Sequence, residues 1–363
     1  MEIFLQTVPG LEAGLAREAE ELALKAPRIV PGGVICEGEM EDVWRANLWL
    51  RGASRVLARI AEFRAMHLAQ LDKRAHKVDW QAFLRVDQPV RVEAVCRKSK
   101  IYHQKAATER VERAIADAGL SVSPEATIVV KLRIEDDLCT ISLDTSGESL
   151  HKRGHKEFIG KAPMRETLAF AFLRQCGFDG TQTVVDPMCG SGTFVLEAAD
   201  MAAGLAPGRS RSFAFEQLAG FDPEAWAAMK SQATPKAPQA RFYGFDRDDG
   251  AIRGARGNAE RAGLSDWVNF ERQAISDLTP PEGPPGLVMV NPPYGARIGN
   301  RKLLFGLYGA LGATLKAQFK GWKVGLVTSD GGLAKATGLD WEPTTPPVAF
   351  GGLNVTLWQS RIS

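Results

Sequence analysis

The second half of the chain alternates short apolar runs with stretches in which apolar residues recur at helical spacing. Runs of strand length occupy 184–185, 241–246, 268–272, 288–290 and 323–329. Periodic segments that predict helices follow most of them. Two more strands, at 347–350 and 353–360, are expected to form a hairpin-like pair. This alternation predicts an α/β domain in which helices cover a central sheet.

The first half of the chain mixes both periods in smaller units. Residues 2–7 predict a strand, 11–24 a helix, and the prolines and glycines around 31–33 a hairpin. Apolar and arginine positions at helical spacing over 42–60 predict a helix that buries Trp44 and Trp49. An alternating α/β unit is expected from 63 to 144, with strands at 90–96, 127–133 and 138–143 and a helix at 106–118.

A glycine loop follows the strand at 184–185. The strand ends in Asp186, the loop contains Gly190 and Gly192, and a helix begins at Thr193. Glycines at such a turn let the backbone approach a ligand closely. The third position of a dinucleotide fingerprint is Val195, and no phosphate-loop motif is present, which argues against NAD, ATP and GTP. A tight turn without a ligand is the alternative for this loop considered alone.

A second motif, Asn291-Pro292-Pro293-Tyr294, ends the strand at 288–290. Two prolines stiffen the backbone and remove two donors, so carbonyl groups and the Asn291 amide are expected to point outward. Tyr294 then projects an aromatic ring on which a flat group can stack. This combination is an unusual way merely to turn a chain.

The two motifs together resemble those of class I S-adenosylmethionine methyltransferases that modify exocyclic amines of nucleobases. The segment 151–169 contains H-x-R-G followed by A-P-x-R-E-T-L-A. It is similar to the entry segment of rRNA guanine-N2 methyltransferases of the RlmL/YpsC type and of related tRNA guanine-N2 enzymes. The resemblance implies a Rossmann-like, seven-stranded class I methyltransferase domain at 148–363. It also implies a preceding α+β RNA-binding region, made of a ferredoxin-like domain at 1–45 and a THUMP domain at 46–147.

The cofactor implied by the resemblance is S-adenosylmethionine. Asp246 ends a strand and is expected to accept the two ribose hydroxyls, whereas Asp248 caps the next helix. Relatives usually place an acid against the adenine amine where this chain has Ala274. Gln273 or a backbone carbonyl is therefore the candidate for that contact, and Asp277 is interpreted as a loop acid. The predicted cofactor-binding residues are Pro163, Thr167, Asp186, Pro187, Met188, Cys189, Gly190, Ser191, Gly192, Thr193, Asp246, Arg247, Gln273, Ala274 and Asn291.

The predicted catalytic residues are Asn291, Pro292, Pro293 and Tyr294. The Asn291 side-chain oxygen and the Pro292 carbonyl are expected to accept the two protons of the amine, and Tyr294 to stack on the extruded base. The same motif also serves adenine N6, cytosine N4 and glutamine N5 methylation. The guanine N2 acceptor, in 23S rRNA, therefore rests on the resemblance of the whole chain. A tRNA guanine is the first alternative, and a DNA adenine enzyme is a weaker one.

Charge is distributed unevenly although the net charge is only +2. Residues 1–45 contain four Lys/Arg and nine acids, whereas 46–113 contain fifteen Lys/Arg and seven acids. A local basic excess favours an RNA partner. Its densest part is the turn 97–105, which is similar to the basic turn of THUMP domains. The polar connector 145–162, which is basic over 151–156, is expected to contact RNA or fold over the active site. The predicted RNA-binding residues are Arg97, Lys98, Lys100, Tyr102, Lys105, Lys152 and Arg153. A solvated basic face is the alternative.

Composition excludes several other classes. An apolar fraction of 45% and a charged fraction of 24% are typical of a globular protein. No apolar run of membrane length or signal peptide is present, and the five cysteines are scattered without metal-ligand spacing. We therefore expect a cytoplasmic protein without membrane or metal. An RNA-binding assembly factor with a vestigial cofactor site is the alternative from another functional class.

Overall fold

The computed structural model describes residues 1–160, 164–294 and 301–363. Its contacts divide the chain into two compact units. Unit 1 contains Met1–Thr7, Leu15–Leu150 and Arg211–Gln232. Unit 2 contains Val8–Gly14, His151–Ser210 and Ala233–Ser363. The segment Arg211–Gln232 therefore lies within the sequence of the second unit but packs with the first.

Unit 1 is built on one seven-stranded sheet in the order β2-β3-β1-β4-β7-β6-β5. The sheet is antiparallel except where β5 and β6 run parallel. In chain order, the elements are β1 (Glu2–Gln6), α1 (Glu12–Glu21), β2 (Lys25–Val30), β3 (Gly33–Glu37), α2 (Met40–Trp49), β4 (Arg55–Arg64), α3 (Leu68–Ala75), β5 (Val90–Arg97), α4 (Gln104–Asp117), β6 (Ile128–Glu135) and β7 (Leu138–Asp144).

The predicted helix over 42–60 is wrong in its second half. Helix α2 ends at Trp49, and β4 begins at Arg55 as a central strand between β1 and β7. Pairing with two neighbouring strands overrides the helical spacing of the arginines in that segment. Trp44 is buried in the core, as predicted, and its ring stacks on Phe215 at 5.8 Å between centroids. Helix α3 was not predicted.

Unit 2 is an α/β fold around a second seven-stranded sheet, in the order β10-β9-β8-β11-β12-β14-β13. Strands β8 to β12 are parallel, whereas β14 is antiparallel to β12 and to β13. Helix α7 (Pro223–Ser231) belongs to the segment of unit 1 that interrupts unit 2 in the sequence. The elements of unit 2 are α5 (Glu166–Gln175), β8 (Val184–Asp186), α6 (Thr193–Ala202), β9 (Phe242–Asp246), α8 (Asp249–Ala262), β10 (Val268–Arg272), β11 (Leu287–Val290), α9 (Arg301–Gln318), β12 (Lys323–Thr328), α10 (Gly331–Ala336), β13 (Val348–Phe350) and β14 (Leu353–Arg361).

Two apolar clusters sandwich the parallel sheet of unit 2. One contains Phe172, Phe194 and Phe242, and the other contains Tyr308 and Phe319. Burial on both faces explains why the central strands are apolar throughout. Because β9, β8 and β11 are parallel neighbours, the polar residues at their carboxyl ends lie at the same edge of the sheet. Parallel α/β sheets bind ligands at this edge. Unit 2 thus confirms the predicted α/β fold class.

Candidate active site at the carboxyl edge of the sheet

Asp186 is the acid that ends β8, and it is buried. Its Oδ1 accepts a hydrogen bond of 3.1 Å from the Met188 main-chain N–H. Burial raises the pKa of this carboxyl well above its ordinary value, and the nearby charge of Asp246 raises it further. The Met188 hydrogen bond therefore ties the start of the loop to this buried carboxyl.

Asp246 ends β9, the neighbour of β8. Its Oδ2 accepts a 3.0 Å hydrogen bond from the Gly190 N–H, and its Oδ1 accepts one of 2.9 Å from the Asp248 N–H. The half-buried carboxylate is thus held beside the glycine loop by two backbone donors. Asp248 caps α8 through the N–H groups of Gly250 and Ala251, as predicted.

Gly190 and Gly192 have positive φ angles of +52° and +83°. A β-carbon on Gly192 would lie 2.8 Å from the Phe270 ring, so the loop packs there against β10. A β-carbon on Gly190 would meet no atom within 4 Å. A ligand can therefore approach the Gly190 backbone from that side. This difference indicates that Gly192 shapes the loop and that Gly190 can face a ligand.

The other predicted loop residues point mostly inward. Pro187, Cys189, Ser191 and Thr193 are buried, and burial raises the pKa of the Cys189 thiol well above its ordinary value. Met188 is half-buried and packs against the cluster around Tyr308. A cofactor at this loop would therefore meet mainly its backbone.

The predicted adenine side of the site is formed by the segment after β10. The Gln273 N–H donates to the Asp246 carbonyl at 3.0 Å, and its side-chain Nε2 donates to the Asp277 carbonyl at 2.7 Å. Ala274 is exposed and begins a 3-10 turn. The Gln273 amide nitrogen is thus engaged within the turn. Arg247, which directly follows Asp246 at the end of β9, is exposed.

Thr167 lies buried in the first turn of α5. Pro163, predicted to bind the cofactor, lies outside the described residues.

The Asn291–Tyr294 motif follows the fully buried β11. Asn291 and Pro293 are half-buried, and Pro292 is buried. Tyr294 is also half-buried and packs against both apolar clusters, and burial raises its pKa to about 12. Its ring is therefore anchored in the core as well as available at the edge.

Tyr308 supports this motif and was missed in the sequence, where it is one apolar position of a long helix. Its hydroxyl donates to the Pro293 carbonyl at 3.3 Å and lies 3.4 Å from Thr328 Oγ1. Burial raises its pKa well above the ordinary value, so the hydroxyl stays protonated as a donor.

The predicted RNA-binding turn lies in unit 1 and is held by the β6–β7 hairpin. The Lys100 N–H donates to Asp137 Oδ1 at 2.8 Å, and the Asp137 N–H donates to Ser99 Oγ at 3.0 Å. Tyr102 is 71% exposed, with its ring 4.2 Å from that of His103. The structure therefore presents an ordered turn whose exposed side chains include Arg97, Lys98, Lys100, Tyr102 and Lys105.

Arg153 corrects one RNA-binding prediction. It is only 3% exposed, and its guanidinium pairs with the equally buried Glu197 at 3.2 Å. A buried, paired guanidinium cannot contact a phosphate without breaking that pair. Lys152, its neighbour, is exposed.

Within the three described ranges, no group of His, Cys, Asp and Glu could hold a metal ion. In the same part of the chain, no helix is long and apolar enough to cross a membrane.

Comparison with known proteins decides the family. A family model described as "RMKL-like, methyltransferase domain" matches residues 153–356, more than half of the chain. The chain belongs to this methyltransferase family. A second model, "RlmL ferredoxin-like domain", matches residues 2–57. These matches confirm the predicted methyltransferase family and the predicted ferredoxin-like fold of the N-terminal region.

Several relatives are similar over most of the chain. The ribosomal RNA large subunit methyltransferase K/L of Marinobacter nauticus is 37% identical over 359 residues, which cover 93% of this chain and 50% of the relative. The chain spans about half the length of the curated relatives it matches.

Two solved structures share the whole fold. A possible methylase from Clostridium difficile 630 is 29% identical with a TM-score of 0.91, covering 100% of this chain and 98% of its own. SMU.472, a putative methyltransferase complexed with SAH, is 27% identical with a TM-score of 0.90 and the same coverage.

Proposed function

We propose that this protein transfers a methyl group from S-adenosylmethionine to the exocyclic N2 amine of a guanine in structured RNA, in the large-subunit ribosomal RNA. One observation carries the proposal. Strands β8 and β11 are parallel neighbours, with Val184 opposite Leu287 and Val185 opposite Val288. Asp186 of the cofactor loop and Asn291 of the acceptor motif therefore end adjacent strands at the same edge of the sheet.

The cofactor is S-adenosylmethionine, as predicted. The family is a methyltransferase family, and SMU.472, a structural relative that matches this chain over its whole length, is complexed with SAH, the product of this cofactor. The residues present fit the group, because the Asp246 carboxylate is oriented beside the loop and the Gly190 backbone is open to close approach. When bound, the cofactor supplies a methyl group already activated as a sulfonium.

The protein then has to align the acceptor amine with the methyl group and to place hydrogen-bond acceptors against its N–H groups. The guanine amine is a weak nucleophile because its lone pair is delocalised into the ring. Hydrogen bonds from its two N–H groups to the Asn291 side-chain oxygen and the Pro292 carbonyl would localise the lone pair on the nitrogen. The half-buried Tyr294 ring provides a surface for the extruded base. Transfer breaks the S–CH3 bond, forms the N2–CH3 bond and leaves the thioether SAH. The methylated nitrogen is then cationic and loses one proton to solvent, so no strong base is required.

Capture of RNA is assigned to the turn 97–105 of unit 1. Its cations and the exposed Tyr102 ring combine phosphate contacts with stacking, two of the interactions by which proteins bind RNA. The name of the Marinobacter nauticus relative favours ribosomal RNA over tRNA. A tRNA guanine is the second candidate, because the same acceptor motif serves either RNA.

Nucleoside mass spectrometry of rRNA and tRNA from a deletion strain tests the proposal. We expect loss of N2-methylguanosine from large-subunit rRNA and its return when the gene is restored. Loss from tRNA alone would move the assignment to the second candidate. Unchanged methylation of both, with a defect in ribosome assembly, would support the RNA-binding assembly factor instead.

A further inference from the structure

The segment 155–160 of unit 2, called the strap below, is fastened to α8 by the side chains of Arg261 and Asn258. Arg261 Nε donates to the His155 carbonyl at 3.0 Å. Asn258 lies on the buried face of that helix and has no exposed surface. Its Oδ1 accepts from the N–H groups of Glu157 and Phe158 at 3.2 and 3.1 Å, and its Nδ2 donates to the Phe158 carbonyl at 3.0 Å. The Asn258 amide thus hydrogen-bonds to the strap backbone with both its oxygen and its nitrogen, as a neighbouring β-strand would.

The same amide also reaches the glycine loop. Asn258 Nδ2 donates its second hydrogen to the Ser191 carbonyl at 3.1 Å. An amide nitrogen has two donor hydrogens, so both are used, one on the strap and one on the loop. Burying an amide among apolar positions of α8 is costly unless its bonds are made. Asn258 therefore links two segments that are distant in sequence.

A second, independent link joins the strap to the same loop. Lys156 Nζ donates to Thr193 Oγ1 at 2.7 Å and pairs with Glu166 Oε1 at 2.9 Å. The Phe158 ring fills the space beside Gly254, where a β-carbon would lie 2.3 Å from ring atoms. The strap is thus held on α8 by side-chain packing and hydrogen bonds, and it contacts the loop directly through Lys156 at Thr193. The contact to Ser191 is made by Asn258.

We propose that Asn258 is a positioning residue, which holds the glycine loop in its cofactor-binding conformation by tying it to the strap. The inference rests on the proposed function for its ligand, S-adenosylmethionine. A loop that is already ordered does not lose conformational freedom when it binds, so its affinity is higher. Breaking the link should therefore weaken cofactor binding more than it slows the reaction at saturating cofactor.

The Asn258→Asp variant removes both donor hydrogens with almost no change of shape, and the carboxylate it introduces lies beside the Arg261 guanidinium. It keeps an acceptor for the strap N–H groups and for Arg261, whose Nη2 donates to Oδ1 at 2.5 Å. It replaces the donor nitrogen by an oxygen that faces the Ser191 and Phe158 carbonyls. Asn269→Asp is the control for the same chemical change, because Asn269 is exposed in the same unit and its amide donates to Glu271 Oε1 at 2.7 Å.

Two measurements separate a positioning role from a merely structural one. In the ligand-free protein, hydrogen exchange of the loop amides at 190–193 should be about tenfold faster in Asn258→Asp than in the parent, as expected for about 1.4 kcal/mol of lost local stability. In calorimetry, the Kd for S-adenosylmethionine should rise about tenfold, whereas kcat at saturating cofactor stays close to the parent value. Asn269→Asp should change neither measurement.

Parent-like loop exchange and Kd in a folded Asn258→Asp protein would overturn the proposal. If that variant does not fold, Lys156→Met tests the second link with the same measurements and the same expected directions. A parent protein that binds no S-adenosylmethionine would contradict the proposed function, and the exchange rates of the free protein would still decide whether Asn258 orders the loop.

Discussion

The main-chain N–H of Gly190 donates a 3.0 Å hydrogen bond to Asp246 Oδ2 and thereby joins the glycine loop after β8 to the acid that ends β9. A second donor, the Asp248 N–H, holds the other carboxylate oxygen at 2.9 Å. The carboxylate is thus oriented before any ligand arrives. Preorganisation of this kind lowers the cost of binding a ribose.

Replacing Asp246 by Ala should weaken cofactor binding by about 1.5–3 kcal/mol, because bonds between the ribose and a charged group are lost. Titration calorimetry with S-adenosylmethionine measures the change. Asp248→Asn is the matched control, since Asn caps a helix as well as Asp does and the affinity should stay the same. An unchanged affinity in Asp246→Ala would assign the ribose to another residue.

The hydroxyl of Tyr308 holds the Pro293 carbonyl from beneath the acceptor motif. Tyr308→Phe removes that bond and should cost about 1 kcal/mol of folding stability. Because the motif would be less well fixed, turnover should fall by up to about tenfold, while affinity for S-adenosylmethionine stays the same. Steady-state kinetics beside calorimetry give both values. Parent-like turnover would show that the Tyr308–Pro293 hydrogen bond is not required to position the acceptor motif.

Much of the site could be predicted because its parts are local in sequence. The strand, Asp186 and the glycines follow one another, and Asn291 directly ends β11, so spacing alone places them at a sheet edge. The contacts of Tyr308 and Asn258 could not be predicted. Each reaches its partner through the fold, over 15 residues to Pro293 and over 67 to Ser191, and neither stands in a distinctive motif.

The errors have the same origin. The helical spacing of arginines over 42–60 reflects a local pattern, whereas sheet pairing with β1 and β7 decides the structure from Arg55 onward. Arg153 looks like a surface cation in the sequence because its partner, Glu197, lies 44 residues away on α6. Long-range pairing is invisible in a single sequence.

The turn 97–105 should govern RNA affinity. Replacing Arg97, Lys98, Lys100 and Lys105 together by Ala should weaken RNA binding. The slope of log K against log salt concentration should also become shallower, by the amount expected for the loss of about two to four phosphate contacts. Cofactor affinity should be unaffected. A filter-binding salt titration decides this, with four exposed cations elsewhere, Arg17, Lys25, Lys316 and Lys320, replaced as the control. An unchanged slope would mean that the turn is only a solvated loop.

His76 should make the stability of unit 1 depend on pH. Its Nε2 lies 2.9 Å from Asp117 Oδ2, and this hydrogen bond raises the His76 pKa above its ordinary value of 6.5. A raised pKa in the folded state gives stability that is fully present below about pH 6.5 and is lost as the pH rises through the folded value. The melting temperature of the parent should therefore exceed that of His76→Gln at pH 5.5, and the difference should shrink by pH 8.5. A difference independent of pH would contradict this role.

Transfer of an isotopically labelled methyl group tests the central claim most directly. Large-subunit rRNA from a deletion strain is incubated with S-adenosylmethionine and either the parent or Asn291→Ala, and the nucleosides are analysed by mass spectrometry. We predict labelled N2-methylguanosine with the parent and a rate at least about 100-fold lower with the variant. The variant should bind the cofactor within a few-fold of the parent, because the partner of Asn291 is the acceptor amine. Label in another nucleoside, or near-native turnover by Asn291→Ala, would contradict the account.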